Sequence, residues 1–478
     1  MQPEHQQASK ISLFALTAMV IGSMVGAGIF NLPGRFGMAT GPFGAIIAWL
    51  IAGTGMYMLA RVFQFLAERK PEIDAGVFAY AKAGFGDYMG FLSAFGYWLG
   101  SCLGNVFYWV LIGSTLGKFF PMFGEGNTLI SILVSLAGVW LFHTLILRGV
   151  EQAAAVNFIV TIAKIVPILV AIIAMIIAFN FDTFRENFWG GVGMPEKPLI
   201  FQVRDTMLIT VFVFIGIEGA SVYSRFAKKR SDVGTATILG FVAVTGLMVA
   251  ITLLPYAIEP RAEIAALRQP SLAGALEAAA GPWGRWFISI GVLVSVLGAY
   301  LAWCLICAEV MFAAAKSGDM PRIFANENAN KVPAAALWAT NIVISAFIIS
   351  TYWSADAFNF MLNMTSVTTL LPYLLVAGFG ALLVRDDALY AGTPKARRSD
   401  MIVSWIAILY VVFMFIAAGL KYVILVTVLF APGTLLYVWS RRENNASLFN
   451  KRETMIFAAI AIGAILGMAG LITGRITP

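Results

Sequence analysis

Apolar runs of about 18–25 residues recur along the whole chain, separated by short stretches that carry most of the charge, glycine and proline. Each run is long enough to cross a hydrocarbon core of about 30 Å as a helix. The pattern predicts spans near 12–33, 42–66, 88–117, 128–147, 156–179, 203–224, 234–257, 284–315, 334–352, 358–384, 401–419, 421–440 and 455–474. The segment 128–147 ends in "LFHTLILRGV" and reads either as a span or as a tilted, partly interfacial helix, so the count is 12 or 13.

Two spans are interrupted by glycine. "IGSMVGAGIF", residues 21–30, puts Gly22, Gly26 and Gly28 inside the first, and "VFVFIGIEGASVYS", residues 211–224, puts Gly216 and Gly219 around Glu218 inside the sixth. A helix break at membrane depth survives only where the freed N–H and C=O groups are buried in protein or face a cavity. Gly22 and Gly26 alone also fit close helix packing of the GxxxG kind. Breaks in spans one and six together are what two five-helix repeats of opposite orientation produce, with a substrate held where they meet. Amides at a half-helix N-terminus attract a carboxylate and free carbonyls attract an ammonium, so the pair makes a receptor for an α-amino acid head group.

Composition agrees with this class. The 478 residues are 60% hydrophobic and 12% charged, with a mean hydropathy of +0.84, which marks an integral membrane protein with no soluble domain left over. Basic residues gather in alternate loops: Arg69, Lys70 and Lys82; Arg148; Arg225, Lys228, Lys229 and Arg230; Lys316, Arg322 and Lys331; Arg385, Lys395, Arg397 and Arg398; Arg441, Arg442, Lys451 and Arg452. That alternation predicts a cytoplasmic N-terminus in a multi-pass membrane protein. The net charge of +7 is therefore topology and not a nucleic-acid footprint. Cys102, Cys304 and Cys307 fall within predicted spans, which excludes a disulfide framework or metal site. No enzyme or cofactor motif is present, and "MQPEHQQASK" lacks a signal-peptide pattern, so the first span is expected to be retained.

"GSMVGAGIFNLP", "GVFAYAKAGFG", "YWLGSCLGNVFYWV", "HTLILRGVEQAAAVN", "FVFIGIEGASV", "DVGTAT", "GAYLAW" and "LLPYLL" resemble the basic amino acid and polyamine antiporters of the amino acid, polyamine and organocation superfamily. The resemblance covers nearly the whole chain and is strongest to the arginine/ornithine branch. It implies an all-α membrane protein with a first repeat over 1–180, a second over 200–384 and extra helices over 400–478. It implies exchange of arginine for ornithine, no cofactor, and a homodimer. Ile21, Ser23, Gly26, Ala27 and Gly28 are then substrate contacts on span one, and Phe212 and Ile215 on span six. Arginine/agmatine exchangers carry Trp where this chain has Phe212, whose face attracts a cation less strongly. Trp303 matches a substrate-packing Trp; by itself it also reads as an ordinary core aromatic.

Polar side chains at depth usually pair or line a pathway. Tyr97, Ser101 and Asn105 recur every fourth residue and share one face of span three. They read as interhelical hydrogen-bonding groups; the resemblance implies that Ser101 and Asn105 hold the substrate region and that Tyr97, Glu218 and Tyr373 form an inner gate. Thr365 and Ser366 fit either the distal end of the substrate or backbone capping near Pro372. Lys164, in "TIAKIVP", belongs to no loop. It could snorkel, couple to protons, or stand where related transporters hold a sodium ion; the last predicts sodium independence. Proton-driven uptake and exchange of an amino acid for its amine are the rival functions, with a membrane sensor or channel as a remote one.

Overall fold

The structure is a computed structural model that describes residues 12–73, 77–149, 153–191, 193–194, 197–217, 230–354 and 356–476. Among the described residues all regular structure is helical. The first span is divided into α1 (Leu13–Met24) and α2 (Leu32–Ala39). The second is α3 (Pro42–Arg69), and a short α4 (Val77–Phe85) leads into the third, α5 (Asp87–Gly117). Next come α6 (Leu129–Leu147), α7 (Ala153–Ile177) and a short α8 (Phe181–Asn187), the last bent by 102° from α7. The sixth span is described as α9 (Leu199–Phe214), followed by α10 (Arg230–Leu253) and the short α11 (Arg261–Ala266) and α12 (Ser271–Ala280). The chain continues through α13 (Trp283–Lys316), α14 (Ala334–Ser350), α15 (Ala357–Leu383), α16 (Pro394–Glu443) and α17 (Lys451–Ile472).

Local sequence explains where these helices start. Pro42 occupies the first turn of α3, where a missing N–H costs nothing. Thr128 caps α6 by accepting from the Ser131 amide, and Asn450 with Glu453 forms a reciprocal capping box on α17. Among the described residues nine helices are long and apolar enough to cross a membrane, or up to eleven if each bent pair is one span. The segment 128–147 is one of the nine, a continuous helix of 19 residues, which favours thirteen crossings over twelve.

Burial ranks the helices. The most apolar window of α5 is 89% buried inside the protein, against 6% for α17, so α5 is the central post and α17 lies at the periphery. Leu50, Ile177, Leu420 and Ile472 stand exposed on outer helix faces, the pattern expected where hydrocarbon and not water is the solvent.

The expected spans 401–419 and 421–440 form the one element α16, interrupted at Gly419 (φ 78°, ψ 160°). Its two ends meet the same face of the molecule. Near the start, Asp400 pairs with Arg69 at 3.0 Å; near the end, Arg441 pairs with Asp87 at 2.8 Å, and α4 joins Arg69 to Asp87. The chain therefore reverses at Gly419, and α16 is a helical hairpin of two crossings. Lys82 adds a 2.8 Å pair to Asp319 on this face. Burial raises the Asp319 carboxyl above the ordinary carboxylate range although the Lys82 ammonium pulls it down.

Candidate functional site where two spans are interrupted

The break in span one lies between Met24 and Ala27. Gly26 is extended (φ −104°, ψ −167°), a single 3-10 turn covers Ala27–Asn31, and the two halves are bent by 46°. In span six, α9 stops at Phe214; Ile215 turns to φ −58°, ψ 131° and Gly216 to φ 106°. The two breaks abut. Ser23 Oγ donates to the Gly216 carbonyl at 3.2 Å, and a β-carbon on Gly216 would stand 2.6 Å from the Ser23 carbonyl oxygen. Gly28 is equally crowded, since a β-carbon there would meet Val213 Cγ1 at 2.7 Å and Phe212 Cδ1 at 2.8 Å. Glycine at these places is a requirement of close approach, and at Gly216 also of the left-handed backbone.

Carbonyls freed at the end of α1 need donors. Lys164 Nζ, on α7, donates to Gly22 O at 3.3 Å; the side chain is 8% exposed and has no carboxylate partner among the described residues. At the far end of the span, Arg261 donates from Nε to Gly37 O at 2.8 Å and from Nη2 to Met38 O at 3.3 Å, so a cation closes the last carbonyls of α2. The far end of α2 is thereby closed, and a lysine holds one of the carbonyls that α1 presents at the break.

The opening is a part-open chamber with about 480 Å³ of unfilled space, some of it open to solvent. Span one contributes Ser23, Met24, Gly26, Ala27 and Gly28; α5 contributes Gly100, Ser101, Gly104 and Tyr108; α9 and its end contribute Phe212, Val213 and Ile215; Trp303, Thr365 and Thr369 complete it. Phe212 packs edge-on against Phe107 at 4.7 Å, which fixes the ring that faces the space. Ser101 Oγ donates to Tyr97 O at 2.8 Å, Thr365 Oγ1 to Met361 O at 2.8 Å and Thr369 Oγ1 to Thr365 O at 2.9 Å. Each hydroxyl has spent its proton on its own helix and turns lone pairs to the chamber. Acceptors and aromatic faces, with no lining carboxylate among the described residues, suit an ammonium or guanidinium, which has protons to give and accepts none.

The structure brings together Ser23, Gly26, Ala27, Gly28, Ser101, Phe212, Ile215, Trp303 and Thr365 from the expected contacts. Ile21, Asn105 and Ser366 do not line the chamber. Ile21 packs half-buried on the core. Asn105 Nδ2 turns to Ser101 O at 3.1 Å and Cys307 Sγ at 3.5 Å. Ser366 Oγ donates to Leu208 O at 2.8 Å and so ties α15 to α9. Tyr97 and Tyr373 are buried outside the lining, Tyr373 edge-on to Phe63 at 6.3 Å, and Glu218 lies outside the described residues. Sequence reasoning missed Met24, Gly100, Gly104, Tyr108, Val213 and Thr369; the four-residue spacing from Gly100 to Tyr108 and from Thr365 to Thr369 was the available signal. His143 is structural: its Nδ1 meets Asn341 Nδ2 at 2.9 Å, and Tyr300 donates to Asn341 Oδ1 at 3.1 Å.

Residues 11–440 match the amino acid permease family across both breaks and every wall of the chamber. The chain belongs to the amino acid permease family. This permease is 45% identical to an arginine/ornithine antiporter of Pseudomonas aeruginosa over 99% of each chain. It is 39% identical to an L-lysine transport protein of Corynebacterium glutamicum, covering 98% of this chain and 96% of that one. With an arginine/agmatine antiporter of Chlamydia pneumoniae it shares 35% identity over 98% of this chain and 99% of the other. It is thus a membrane transporter and not an enzyme.

Proposed function

We propose that this permease exchanges cationic amino acids across the bacterial cytoplasmic membrane, taking up arginine and releasing ornithine. The observation that carries the reading is the meeting of two helix breaks around a chamber of acceptor hydroxyls and aromatic faces, with no carboxylate lining it among the described residues. The head group sits between the amides of Ala27 and Gly28 and the carbonyls near Phe212 and Ile215, with the cationic end toward Trp303, Thr365 and the Phe212 ring. The full-length likeness to arginine/ornithine antiporters supports this substrate pair. Both carry about one net positive charge at pH 7, so the exchange is electroneutral.

The site faces each side in turn as the two repeats, 1–180 and 200–384, rock against each other with the N-terminus inside. Tyr97, Tyr373 and Glu218 close the inner path. Lys164 holds the carbonyl at Gly22 as a fixed cation, and transport is therefore independent of sodium.

Counterflow in proteoliposomes tests the reading. Labelled arginine accumulates only in vesicles preloaded with ornithine or arginine, at the same rate when choline replaces sodium. Accumulation in empty vesicles driven by an acid-outside pH gradient contradicts exchange in favour of proton-coupled uptake. A second outcome concerns Phe212. Phe212→Leu keeps the apolar volume but removes the π face, so arginine affinity in the same assay falls about tenfold while thermal stability changes little.

A further inference from the structure

A phenol on the chamber wall is idle. The Tyr108 side chain is 6% exposed, its ring packs beside Phe107, and its hydroxyl has no hydrogen-bond partner among the described residues, unlike Ser101, Thr365 and Thr369. That hydroxyl points to the break: a β-carbon on Gly26 would stand 3.6 Å from Tyr108 Oη. Immediately beyond Gly26 begins the helical run from Ala27 to Ala39, whose first amides, at Ala27 and Gly28, have no carbonyl a turn earlier to bond. Both residues line the chamber with Tyr108.

A phenol proton and two amide protons at one end of the chamber satisfy an anion with several lone pairs, which on an amino acid is the α-carboxylate. We propose that Tyr108 donates to the substrate carboxylate and makes this permease select amino acids over their decarboxylated amines. An amine placed in the same pose leaves the phenol and both amides desolvated and unpaired, and a site built around hydrogen bonds rejects the analogue that lacks them. The phenol is neutral, so it adds this discrimination without a charge that would repel the cationic end of the substrate. The inference rests on the exchange reading above and adds the feature that separates an amino acid/amino acid exchanger from an amino acid/amine exchanger.

The test compares wild type with Tyr108→Phe, which keeps the ring and its packing, in a competition assay using L-arginine, L-argininamide and agmatine, with lysine and cadaverine as a second acid/amine pair. The wild type is expected to take arginine at least about tenfold more tightly than argininamide or agmatine. Tyr108→Phe weakens arginine about tenfold and leaves the two carboxylate-free compounds unchanged, at unaltered thermal stability. Equal competition by agmatine in the wild type overturns the proposal, as does a variant that weakens all compounds in parallel or none. If arginine fails to compete but lysine does and still outcompetes cadaverine through the Tyr108 hydroxyl, the arginine/ornithine reading falls and the role of Tyr108 stands.

Discussion

Gly216→Ala is expected to abolish arginine exchange and to lower the thermal stability of the permease. Two costs coincide at this residue. Its φ of 106° lies where an L side chain is strained by about 1–2 kcal/mol, and the new methyl would stand 2.6 Å from a backbone oxygen, that of Ser23. A flexible side chain could swing away from such a contact; a carbonyl in a packed helix end cannot. Relief requires the two breaks to separate, which removes the 3.2 Å bond from Ser23 Oγ to Gly216 O and the chamber wall it fixes. Gly26→Ala is the contrasting case. Its φ of −104° is open to any residue and the added methyl meets only Tyr108 Oη at 3.6 Å, so the fold absorbs it. The methyl nevertheless occupies the carboxylate position. Gly26→Ala is expected to melt like the wild type while binding arginine at least about tenfold more weakly, and thermal unfolding paired with counterflow distinguishes the two signatures.

Lys164→Met is expected to slow exchange about ten- to a hundredfold without a matching loss of protein in the membrane. Methionine retains the apolar stem, so packing is kept and only the ammonium is lost. What disappears is a charge-assisted bond to Gly22 O at 3.3 Å, and the buried carbonyl left behind has no other donor in its half-helix. Bonds of this kind contribute about 1.5–3 kcal/mol, which sets the range of the slowing. The initial rate of ornithine-loaded arginine uptake, measured in sodium and in choline, gives the answer. Wild type is indifferent to the cation; partial recovery of the variant in sodium identifies the lysine as a substitute for a bound ion, and an unchanged rate in both media contradicts any role for Lys164 in the cycle.

Hydropathy alone made the spans legible, because lipid admits few alternatives to a long apolar helix. Even the reversal at Gly419 is visible as the gap between the runs 401–419 and 421–440, where the backbone leaves the helical region. The breaks were legible for a related reason: glycine at membrane depth is conspicuous. The third wall of the chamber was legible only at Ser101. Tyr97, Ser101 and Asn105 attract attention as polar residues on one stripe, yet the face of α5 turned to the chamber runs through Gly100, Gly104 and Tyr108, one residue of rotation away. Two of those three are glycines, which carry no side-chain chemistry to read. Ser366 illustrates the same limit. It adjoins Thr365, but a step of one residue on a helix turns the side chain by about 100°, and its hydroxyl ends on Leu208 O in place of the substrate.

The account turns on the claim that the interruptions near Gly26 and Gly216 together enclose an amino-acid head group. The most direct measurement is a cryo-electron microscopy map of the permease in nanodiscs with saturating L-arginine. The predicted result is ligand density with its carboxylate in hydrogen-bond reach of the Ala27 and Gly28 amides and of Tyr108, and its guanidinium between Phe212 and Trp303. Unbroken helices through Gly26 and Gly216, or arginine bound elsewhere with this chamber empty, would contradict it.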